Sequence, residues 1–79
     1  MKLPRDLSGA DLVSALKRLG YKQTRQTGSH VRMTISVHKQ AHLTVPLTRA
    51  IPAGTLAALM KDAATHLETT FDDVLNRIR

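Results

Sequence analysis

Gly28-Ser29-His30 is the place in this chain where chemistry could be done. A glycine-containing turn delivers a histidine to the first position of an alternating segment, in the middle of a stretch without acid. From Leu12 to Lys61 there are eight Lys or Arg residues (Lys17, Arg18, Lys22, Arg25, Arg32, Lys39, Arg49 and Lys61) and no Asp or Glu. Histidine gains and loses a proton near neutral pH and serves as general acid or base, typically worth ~10²–10⁴-fold in rate. Cations beside it stabilise charge that develops on a phosphate. RNA is a substrate that such groups can break without a metal, because its own 2′-OH is the nucleophile. The protein must then take up that proton, see the leaving 5′-oxygen protonated, and stabilise charge on the phosphorus. The candidate cations are Arg32, two residues on and on the same strand face, with Arg25 and Lys22 across a hairpin. His42 shares the polar side from the next strand. A strand histidine is also a common surface residue, so on these residues alone a plain surface position stays open; His38 and His66 read as that class.

Other chemistries lack their residues. There is no cysteine, hence no disulfide framework and no thiolate ligand, and the basic stretch holds no carboxylate to complete a histidine metal site. No phosphate-cradling glycine loop and no nucleophile elbow are present. Neither a metal nor a cofactor is expected. With one Tyr and one Phe there is no aromatic platform for single-stranded bases. Binding of RNA would therefore lean on phosphates and shape. Tyr21, following Gly20, reads as a residue packed between helix and sheet.

The elements that must position these residues follow from periodicity. Ser8 and Asp11 form a capping-box pattern, Leu12, Ala15, Leu16 and Leu19 recur at helical spacing, and Gly20 supplies the stop, which predicts a helix over 9–19. The run His30 to Val37 alternates, putting Val31, Met33, Ile35 and Val37 inward and His30, Arg32, Thr34 and Ser36 outward. Residues 21–26 have no apolar face of their own but become its hairpin partner through the link Thr27-Gly28-Ser29. Ala41 to Val45 alternates again before Pro46. Ile51-Pro52 introduces a helix with Leu56, Leu59, Met60 and Ala63 on one stripe, and Thr70 with Asp73 caps a short third helix bearing Phe71, Val74, Leu75 and Ile78. The expectation is an α+β fold of order α-β-β-β-α-α: a three-stranded antiparallel sheet with helices on one face and a polar, basic open face that holds His30.

Seventy-nine residues make one domain over 1–79, small enough to bury only roughly 60% of its unfolded surface. The start lacks the apolar run of a secretory signal and no segment approaches the ~20 apolar residues of a membrane span, so the reading is a soluble, cytoplasmic protein. Twelve bases against six acids give +6, and the acids sit at the two ends. That asymmetry points to a polyanion or an acidic protein as partner.

Five segments in register then resemble a known family: Ser8-Gly9-Ala10-Asp11-Leu12-Val13, Ala15 to Tyr21, Arg25-Gln26-Thr27-Gly28-Ser29-His30, Leu43-Thr44-Val45-Pro46, and Gly54-Thr55-Leu56. In order and spacing they resemble the HicA toxins over about residues 8–75. The resemblance implies a fold similar to double-stranded-RNA-binding domains and the activity of a ribosome-independent mRNA interferase, an endoribonuclease that forms one half of a toxin–antitoxin system. It implies His30 as the catalytic residue, with Gly28 and Ser29 shaping its turn; beside it, the charge pattern and strand faces give Lys22, Arg25, Ser29, Arg32 and His42 as the RNA-binding set. It implies a HicB-type antitoxin covering His30, and allows a higher-order toxin–antitoxin hetero-oligomer. One position departs: many family members carry a histidine soon after the Val-Pro pair, and here Leu47 and Thr48 follow Pro46. Proton transfer would then fall to His42, Arg32 or solvent. Two other readings fit the residues: a non-catalytic RNA-binding module of the same fold, and a basic interaction protein that docks an acidic partner.

Overall fold

The computed structural model describes residues 3–78. Ser8 opens helix α1 (Gly9–Arg18): its Oγ accepts from the Asp11 N–H at 3.0 Å and the Asp11 carboxylate accepts from the Ser8 N–H at 3.4 Å, the reciprocal pair that the spacing predicts. Leu12, Val13, Ala15 and Leu16 are buried along one face. Gly20, at φ +110°, turns the chain out of the helix and into strand β1 (Lys22–Thr27). Strands β2 (His30–Ile35) and β3 (Ala41–Pro46) follow, paired antiparallel in the order β1-β2-β3.

Val31, Met33, Ile35, Leu43 and Val45 line the buried face of this sheet. Helix α2 (Ala53–His66) covers it with Leu56, Met60, Ala63 and Ala64, and α3 (Phe71–Ile78) adds Val74, Leu75 and Ile78 to the same core against α2 and α1. Helices α1 and α2 pack on one side of the sheet, with α3 against them, so the other side meets water. The α-β-β-β-α order is that of a double-stranded-RNA-binding domain, extended by one short helix. Among the described residues no helix is long and apolar enough to cross a membrane.

Gly9 joins the helical layer to the end of the sheet. Its N–H donates to the Thr48 carbonyl at 2.9 Å, and an alanine Cβ there would overlap the Pro46 carbonyl oxygen. The start of α1 therefore rests against the last residue of β3, which is opposite His30.

Several local expectations need correction. The hairpin link is two residues, Gly28-Ser29, with β1 extended to Thr27, which pairs with His30. Gly28 has φ +57° and Ser29 is not at positive φ, the pattern of a type II′ turn, whose twist suits a two-residue hairpin. Val37 does not join the core; it is 60% exposed. Ile35 pairs with Ala41, the first residue of β3, so beyond it β2 has no partner and the chain must turn. At α3 half of the capping box forms. Thr70 Oγ1 accepts from the Asp73 N–H at 3.1 Å, but the Asp73 carboxylate accepts instead from the Thr69 hydroxyl at 2.8 Å and pairs with Arg77 at 3.2 Å.

Tyr21 is buried between helix and sheet, as its position after Gly20 predicts, and its hydroxyl lies 2.8 Å from His66 Nδ1. Burial, with a smaller contribution from the charge of Asp62, pushes the phenol up to about 12. A phenol with its pKa raised on folding stabilises the fold below its unfolded value near 10, and that contribution is lost as pH rises through 12. Urea unfolding should thus show the protein losing about 2 kcal/mol more than Tyr21→Phe between pH 10 and 12. Parallel pH profiles for the two proteins would contradict the buried phenol.

Candidate active site

The open face is a small lattice. β2 is the middle strand, so each of its outward residues has a neighbour on both sides: His30 lies between Thr27 and Pro46, Arg32 between Arg25 and Thr44, and Thr34 between Lys22 and His42. These three rungs follow one another along the sheet, with successive outward residues about 6–7 Å apart.

Arg25 reaches this face only because β1 is irregular. Strict alternation from Lys22 would put Thr24 and Gln26 outward and Arg25 on the helix side. The register shifts between Gln23 and Arg25, leaving Thr24 as an extra residue. Past such a bulge every following side chain changes face. Thr24 still points outward, since its hydroxyl meets Thr34 Oγ1 at 2.8 Å, while Arg25 and Thr27 now also face outward.

Arg25, Thr27, His30, Arg32 and Thr44 line a recess of about 250 Å³, and no carboxylate takes part. Arg25 stands directly opposite Arg32. Like charges placed this way across a strand pair destabilise it, and an anion bound between them reverses the sign of the effect. His30 differs from the other three histidines. His38 Nδ1 pairs with Glu68 at 3.1 Å, His42 Nδ1 with Thr34 Oγ1 at 2.8 Å, and His66 with Tyr21. Among the described residues no side chain hydrogen-bonds the His30 imidazole.

The turn that carries His30 is tied down on both sides. The Ser29 carbonyl accepts from the Leu47 N–H, 2.6 Å away on the chain leaving β3, and the Gly28 carbonyl accepts from Gln26 Nε2 at 3.2 Å. Ser29 acts here through its backbone; its side chain is exposed and lies outside the recess lining.

Of the residues that the sequence nominates, the structure brings Arg25 and Arg32 together with His30. It places Lys22 and His42 on the far side of the arginine rung, about 13 Å from His30 along the strands. Thr27, which the sequence assigns to the turn, and Thr44 complete the recess wall. Thr27 had no signal of its own, because its outward direction depends on the bulge. The hydrogen-bonded run Thr24–Thr34–His42 was equally silent, since it needs the register of all three strands.

Fold and recess together define a small basic α+β domain that presents an imidazole without a protein partner beside two guanidinium groups. A family model described as the HicA toxin of bacterial toxin-antitoxin systems matches residues 9–64, from the first residue of α1 almost to the end of α2, and the chain belongs to that family. It is thus the toxin component of a toxin–antitoxin system. No curated protein and no solved structure matches it.

Replacing Arg25 by glutamine removes the repulsion across the β1–β2 pair. Thermal unfolding of Arg25→Gln should show a gain of about 0.2–1 kcal/mol together with weaker binding of single-stranded RNA. A loss of stability in this variant would contradict an unpaired like-charge rung.

Proposed function

We propose that this toxin is a metal-independent endoribonuclease that cleaves mRNA at His30, the whole chain acting as one domain, and that a HicB-type antitoxin silences it by covering the recess. The observation that carries the reading is the open imidazole next to the opposed Arg25 and Arg32. A fold pays for repulsion between two guanidinium groups with little return unless an anion sits between them, and a phosphodiester is such an anion.

In the proposed reaction the neutral His30 ring takes the proton of the ribose 2′-OH. The 2′-oxygen attacks phosphorus, the bond from phosphorus to the 5′-oxygen breaks, and a 2′,3′-cyclic phosphate forms. Arg25 and Arg32 hold the non-bridging oxygens, where negative charge grows in the transition state. Water supplies the proton to the leaving 5′-oxygen. Arginine keeps its proton in proteins, and His42 stands beyond the arginine rung, outside the hydrogen-bond reach that proton transfer requires. His30 then returns its proton to solvent. The same acid-free face suits an acidic antitoxin surface, so RNA and antitoxin would compete for one patch.

Purified protein incubated with a weakly structured RNA tests this directly. Cleavage should survive EDTA and fall at least ~10²-fold in His30→Ala, with circular dichroism unchanged because the side chain is exposed. Equal cleavage by both proteins, or its loss on chelation, would overturn the proposal.

A further inference from the structure

We infer that the third rung, Lys22–Thr34–His42, is a second phosphate subsite that grips the RNA backbone on one side of the scissile phosphodiester. The inference rests on the nuclease reading above and extends its footprint along the sheet. Three hydroxyl and imidazole groups form one hydrogen-bonded run across the strands: Thr24 Oγ1 to Thr34 Oγ1 at 2.8 Å, and Thr34 Oγ1 to His42 Nδ1 at 2.8 Å. Thr24 Oγ1 also donates to the Arg32 carbonyl at 3.4 Å.

Nδ1 of His42 is thereby engaged in the run, with Nε2 as its remaining polar atom. Lys22 stands on the same rung, across Thr34, and with Thr24 and Thr34 it lines a second recess of about 430 Å³ that contains no carboxylate; His42 borders Thr34 from the β3 side, outside that lining. A structural role asks less of these residues. Two threonines already satisfy each other across β1 and β2, and an exposed imidazole adds nothing that burial would reward. Separation along the strands assigns the subsite to a flanking phosphate, because groups on the first and third rungs cannot touch the same one.

The test compares substrate lengths. For the wild type, KM for a hexanucleotide should be well below KM for a dinucleoside monophosphate, and both Lys22→Ala and His42→Ala should narrow that ratio several-fold. Thr34→Val keeps the β-branched shape but removes the hydroxyl that holds His42 Nδ1, and should narrow the ratio in the same direction. Binding of a 2′-deoxy hexanucleotide, which lacks the nucleophile, should show a salt slope shallower by about 0.7 in Lys22→Ala. A length ratio left at the wild-type value by either Lys22→Ala or His42→Ala, or an unaltered salt slope in Lys22→Ala, overturns the subsite. If the wild type cleaves neither substrate, the nuclease reading fails by itself, while the dissociation constants and salt slopes of the 2′-deoxy ligands still decide this one.

Discussion

Alternation along β2 is the constraint on which the rest of the molecule depends. Val31, Met33 and Ile35 are buried in the core that the helices complete, and each such side chain stabilises the fold by about 1.5–3 kcal/mol. A slip of one residue would exchange them for His30, Arg32 and Thr34, and an unpaired buried charge alone costs several kcal/mol. Because β2 pairs on both edges, its register also fixes those of β1 and β3. The three outward rungs are therefore a consequence of the core.

The arrangement of the rungs is less economical than the core beneath them. A regular β1 would have sent Arg25 to the other face; the bulge at Thr24 brings it opposite Arg32 instead. Rigid backbone surrounds this unfavourable pair: the Leu47 N–H on the Ser29 carbonyl, the close fit of Gly9 against Pro46, and the Gly28 turn. Local repulsion inside a well-fixed frame is what a preorganised anion site looks like, since the donors are already in place before the ligand arrives.

Much of the frame was legible in the sequence, because its signals are local. Ser8 and Asp11 announce the start of α1, the apolar alternation from Val31 to Ile35 announces the central strand, and Gly28 announces the turn before His30. What was not legible depends on pairing. β1 carries no apolar residue between Lys22 and Thr27, so nothing in its pattern marks the bulge or the direction of Arg25. Alternation continues to Val37, but the strand stops where β3 runs out of residues to pair with. His42 shares the outward side with His30 as its parity requires, yet only the register shows that a full rung separates them.

That separation shapes the chemistry. In the proposed reaction, with His42 out of reach and the arginines unable to give up a proton, one imidazole and water move the protons, while the guanidinium pair carries the charge on phosphorus. The nucleophile in that proposed reaction is the RNA's own 2′-OH, which would leave a signature on the products. Mass spectrometry of fragments from an RNA digested by the purified toxin should find 2′,3′-cyclic phosphate and 5′-hydroxyl ends. Fragments bearing 5′-phosphate and 3′-hydroxyl ends would mean that water attacked instead, and would contradict His30 as the base that activates the ribose.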